Sequence, residues 1–72
     1  MLKEQIKNIV AQVLECEVDD TASQANCATW DSLHHLNLVV ELETAFNVSF
    51  EPEEMARMKD IPTIEAIIAS KQ

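Results

Sequence analysis

Leu2, Ile6, Ile9, Val10, Val13 and Leu14 recur at helical spacing and fall within one arc, opposite Lys3, Glu4, Lys7, Asn8 and Gln12. This pattern predicts an amphipathic first helix. From Glu15 to Asp31 the period disappears, and Asp19, Asp20, Thr21, Ser23, Asn26 and Thr29 collect there. Such side chains compete for backbone hydrogen bonds and favour turns, so the stretch reads as a long loop with Val18 and Trp30 tucked down. Helical spacing resumes from Ser32 to about Phe46, with Leu33, Leu36, Leu38, Val39, Val40, Leu42, Ala45 and Phe46 covering most of the circumference. Only His34, Asn37, Glu41 and Thr44 form a continuous polar stripe. A helix apolar on so many sides is expected at the centre of a bundle, with that stripe as the part solvent or a partner sees.

Asn47 is a plausible stop, and a short Val48-Ser49-Phe50 link leads to Pro52, which suits the first turn of a short helix through Glu53, Glu54, Met55, Ala56, Arg57 and Met58. Asp60 can cap a last helix with Pro62 in its first turn and Ile61, Ile64, Ile67 and Ile68 on its buried face. The expected fold is all-α: an up-down four-helix bundle of three longer helices and a short third one, with a long loop between the first two. Residues 1–72 have room for one small domain and one modest core, too little for a complete catalytic machine.

Charge narrows the partners. Thirteen acidic against five basic side chains give a formal net charge of -8, which repels nucleic-acid phosphates and anionic lipid heads and attracts basic protein surfaces. No apolar run approaches the roughly 20 residues of a membrane span. The first residues, MLKEQIKNIV, carry charges where a secretory signal needs an apolar stretch. A cytoplasmic monomer is the expectation, with Cys16 and Cys27 reduced.

Long loops in small domains often accompany function, and this one ends in Trp30-Asp31-Ser32-Leu33. Here the sequence resembles the acyl carrier family, whose attachment motif is Asp-Ser-Leu at the start of the second helix. The likeness runs through the whole chain: first helix, long loop, Asp31-Ser32-Leu33, an apolar second helix ending Leu42-Glu43-Thr44-Ala45-Phe46, an acidic short helix and a closing Ile-rich helix.

The resemblance implies that Ser32 carries a covalent 4'-phosphopantetheine, installed by a phosphopantetheinyl transferase from coenzyme A with Mg²⁺. The chain would then be no enzyme. It would hold acyl groups as thioesters and deliver them to loading, condensing or acyl-transfer enzymes of fatty-acid, polyketide or related specialised biosynthesis. Asp31 and Leu33 are implied in contacts with the transferase and partners. Val40, Glu41, Glu53 and Glu54 fall to the same partner-facing surface, its carboxylates meeting basic docking patches. His34, His35 and Asn37 stand where the fatty-acid carriers tend to be more acidic or smaller, and Trp30 is a further departure, reminiscent of carriers in specialised pathways.

Two alternatives share these residues: an aminoacyl or peptidyl carrier, and an unmodified acidic interaction domain in which Ser32 only caps its helix. A hydrolase triad of Ser32, His35 and Asp31 lacks a glycine for a nucleophile elbow and an evident oxyanion hole. Zinc held by Cys16, Cys27, His34 and His35 is disfavoured because the cysteines are far apart in sequence and adjacent helical residues point about 100° apart. Both histidines are expected at the surface beside the prosthetic group.

Overall fold

A computed structural model describes residues 2–71, which form four helices: α1 (Leu2–Leu14), α2 (Ser32–Phe46), α3 (Pro52–Arg57) and α4 (Ile61–Lys71). The order, the long loop after α1 and the short α3 agree with the hydrophobic pattern. α1 packs against both α2 and α4. Ile6, Val10 and Leu14 of α1, Leu38, Val39 and Leu42 of α2, and Ile61, Ile64, Ile67 and Ile68 of α4 build the core. Ala22, Trp30, Phe50 and Met58, from the connections, complete it. No helix among the described residues is long and apolar enough to cross a membrane.

The chain has no glycine, so its helix ends are closed by other means. Glu15 and Asn47 each take a left-handed backbone at φ 54°. Cys16 N–H then reaches back to Ala11 C=O at 3.3 Å, and Val48 N–H to Glu43 C=O at 3.1 Å. This six-to-one closure satisfies carbonyls that the helix leaves without partners. Asparagine tolerates that backbone better than glutamate, which is why Asn47 was a visible stop and Glu15 was not.

The loop from 15 to 31 is ordered by its own side chains. Asp19 Oδ1 accepts from Thr21 N–H and Thr21 Oγ1, and Asn26 bridges Ser23 N–H to Thr21 C=O. Gln24 N–H donates to Lys59 C=O at 2.9 Å, beside an isolated bridge between Ser23 and Asp60. The loop is thereby tied to the α3–α4 connection, and it delivers Trp30, 2% exposed, into the core just before Ser32.

α2 corrects one expectation. The hydrophobic pattern predicts a helix covered on most sides with only the polar stripe visible, yet Leu33, Leu36 and Val40 are 67%, 60% and 56% exposed. The buried face consists of Leu38, Val39 and Leu42 alone. Packing by α1 and a six-residue α3 is too little to cover the other apolar positions.

Candidate functional site

The loop-to-helix junction separates two roles that the sequence left open for Asp31 and Ser32. Asp31 is the N-cap of α2: its backbone is extended at φ -94°, ψ -175°, and its side chain accepts from His34 N–H. The Oδ1 distance is 2.9 Å to that amide and 2.8 Å to His34 Nδ1. The His34 backbone N–H, followed by the His34 ring, holds the Asp31 carboxyl below its ordinary value. Ser32 is the first residue of the helix and is exposed. Its hydroxyl takes part in none of the side-chain hydrogen bonds among the described residues. The cap is made by the carboxylate, and the alcohol is left for solvent.

From Ser32 an exposed apolar stripe runs down α2 through Leu33, Leu36 and Val40, at spacings of three and four residues. Asn37 and Glu41 flank it, and with Val40, Gln12 and Val13 they line an open groove between α2 and α1. Leu36 was absent from the residues singled out by sequence. The signal was present, because α2 carries more apolar positions than one buried face uses, but periodicity alone does not say which of them stay outside.

α3 and the link before it are each tied to the same helix by a hydrogen bond. Phe50 N–H donates to Glu43 Oε2 at 2.9 Å near the end of α2, and His35 Nε2 meets Met55 C=O at 2.8 Å near its start. His35 Nδ1 also accepts from Trp30 Nε1 at 3.0 Å. His35 is therefore a part-buried brace joining the loop end, α2 and α3, where the sequence led both histidines to be expected at the surface beside the prosthetic group. His34 does lie outside, with its side chain 31% exposed.

The predicted acidic rim is divided. Glu41 and Glu53 are exposed. Glu54 accepts from Glu51 N–H at 2.8 Å within a capping box and pairs with Lys71 at 2.8 Å, its side chain 17% exposed. These partners, the Glu51 amide first, hold the Glu54 carboxyl below its ordinary value. Glu54 thus has intramolecular work, while Glu41 and Glu53 keep their carboxylates exposed to solvent. Cys16 and Cys27, far apart in sequence, lie with their sulfurs 3.6 Å apart as free thiols.

A family model described as a phosphopantetheine attachment site matches residues 4–70. The chain belongs to this family. Its fold is similar to that of the holo acyl carrier protein from Geobacter metallireducens, solved in solution by NMR, with a TM-score of 0.83 and 25% identity over 96% of this chain and 83% of that one. No curated protein matches the chain significantly. The chain is a carrier of the acyl carrier protein family, whose work is done by a covalent 4'-phosphopantetheine and by partner enzymes rather than by catalysis of its own.

The residues at the start of α2 fit such a group. An exposed alcohol at the first helical position lies beside amides that have no partner one turn earlier, where the helix dipole favours a phosphodiester by about 0.3–1 kcal/mol. The exposed apolar stripe of Leu33, Leu36 and Val40 begins beside this position.

Proposed function

We propose that Ser32 is the attachment point of the arm, and that this carrier holds acyl groups as thioesters for enzymes of fatty-acid, polyketide or related specialised biosynthesis. The observation that carries the reading is the division of labour at the junction: Asp31 caps α2, so the Ser32 alcohol is exposed and uncommitted. The bound group supplies a terminal thiol for thioester formation on a flexible tether, which raises the local concentration of cargo at a docked enzyme. The protein's own residues position that tether. Asp31 fixes the helix start, Trp30 and His35 anchor the loop that leads to it, and α2 presents it at one end of an apolar stripe.

Partners dock, in this reading, on Asp31, Leu33, Val40, Glu41 and Glu53, with Leu36 added by its exposure. Leucines give contact area, while the carboxylates steer a basic patch toward it, a combination suited to weak and transient encounters. The test is incubation with a broad-specificity phosphopantetheinyl transferase, coenzyme A and Mg²⁺, followed by mass measurement. One arm is expected on the wild type and none on Ser32→Ala. Equal labelling of the variant would overturn the assignment, and absence of labelling on both would favour the unmodified interaction domain.

A further inference from the structure

The loop after α1 contains a cysteine pair that the carrier reading does not use. Cys16 and Cys27 are both half-buried, and the 3.6 Å between their sulfurs is a van der Waals contact of two free thiols. Local structure on each side makes the contact. The left-handed turn at Glu15 closes α1 and sends Cys16 out of the helix, with its N–H held by Ala11 C=O. Cys27 is presented by a separate turn in which its N–H donates to Ser23 C=O at 3.0 Å while Asn26 Oδ1 holds Ser23 N–H. The Thr29 hydroxyl flanks the pair, 3.7 Å from Cys16 Sγ and 3.6 Å from Cys27 Sγ.

We propose that Cys16 and Cys27 are a site of reversible oxidation, converted by a low-molecular-weight disulfide into an intramolecular bond that ties the loop to the end of α1. A disulfide bond is about 2.05 Å long, so the sulfurs need approach by about 1.5 Å, within reach of small side-chain rotations in a loop. One sulfur, deprotonated, attacks the reagent RSSR, forming a mixed disulfide and releasing RS⁻. The second sulfur, deprotonated in turn, attacks the protein-side sulfur of that mixed disulfide and releases the other RS⁻. The two protons lost by the cysteines end on two molecules of RSH: the protein dithiol is oxidised by two electrons and the reagent reduced by two.

The bond would act close to the α2 junction. Trp30 N–H donates to Cys27 C=O at 3.0 Å, and Asp31 N–H to Thr29 C=O at 2.9 Å, so the turn that holds Cys27 continues directly into the cap of α2. Fixing Cys27 to the end of α1 restricts the segment that leads to Ser32. Closing a ring of this length lowers the unfolding equilibrium constant by roughly a hundredfold on chain-entropy grounds.

The test equilibrates the full chain with mixtures of reduced and oxidised glutathione, quenches with an alkylating agent, and reads mass and oligomeric state. The expected product is a monomer lighter by two hydrogen atoms, with neither cysteine alkylated, restored to the dithiol by excess reduced glutathione. Cys16→Ser and Cys27→Ser should each lose that product and take up one glutathione instead. Backbone amide exchange at Trp30, Asp31, Ser32 and Leu33 should slow in the oxidised form. Independent glutathionylation of both cysteines in the wild type, or intermolecular dimers without the internal bond, would overturn the site. An internal bond that leaves exchange at those amides unchanged would overturn the role in the loop. The Ser32 hydroxyl takes part in none of these readouts, so the outcome is independent of the attachment assignment.

Discussion

Trp30 Nε1 donates to His35 Nδ1 at 3.0 Å, and the two rings stack with centroids 6.3 Å apart. An indole nitrogen is only a donor, so His35 must offer Nδ1 as acceptor and carry its proton on Nε2, which faces Met55 C=O at 2.8 Å. His34 is fixed the other way, because its Nδ1 faces the Asp31 carboxylate. Adjacent histidines are thus expected as opposite tautomers in the neutral protein, readable from imidazole nitrogen shifts by NMR. His35→Ala removes both bonds and should cost about 2 kcal/mol.

Asp31 and Ser32 should separate cleanly by mutation. Ser32→Ala removes an exposed hydroxyl that bonds nothing and should change stability by less than about 0.5 kcal/mol. Asp31→Ala removes the cap from His34 N–H and should lower the melting temperature, while Asp31→Asn restores most of it, because either side chain caps. A destabilised Ser32→Ala would return the capping role to the serine.

The apolar stripe predicts a third separation, between stability and docking. Leu36 and Val40 are more than half exposed, so Leu36→Ser and Val40→Ser should leave the melting temperature nearly unchanged. If a partner buries these side chains, each loses about 1 kcal/mol of contact, or roughly fivefold in affinity. The transferase or an acyl-loading enzyme should show this in KM, and Glu41→Lys should weaken the salt dependence of the same encounter.

Acid should act through Asp60. Its Oδ1 accepts from Thr63 N–H at 2.9 Å at the start of α4, and Thr63, side chain first and backbone second, holds the carboxyl below its ordinary 3.8. A carboxylate with a lowered folded value contributes stability that is fully present above the unfolded value and lost as pH falls through the folded one. Asp60→Ala should therefore be less stable than wild type at neutral pH, by about 1 kcal/mol for a lost cap. The gap should begin to close as pH falls through 3.8 and continue closing below it. Paired denaturation curves across that range provide the check.

Local interactions made much of this protein legible in its sequence. The faces of α1 and α4 follow from spacing, the starts of α3 and α4 from Pro52 and Asp60, and the loop from its turn-forming side chains. Asp31-Ser32-Leu33 stood out because the pattern changes there from loop to helix. Tertiary structure decided the rest, because it depends on which groups meet across the chain. Periodicity marks Leu33, Leu36 and Val40 as apolar but is silent on whether a neighbour covers them. His35 could be read as a surface residue until Trp30 and Met55 were brought to its two nitrogens. Glu54 counts as free charge until Lys71 reaches it, and Cys16 and Cys27 are unrelated until the turns at Glu15 and Ser23 fold them into contact. Hydrophobic spacing and capping are encoded within a few residues; partner choice between distant side chains is settled only when the core closes.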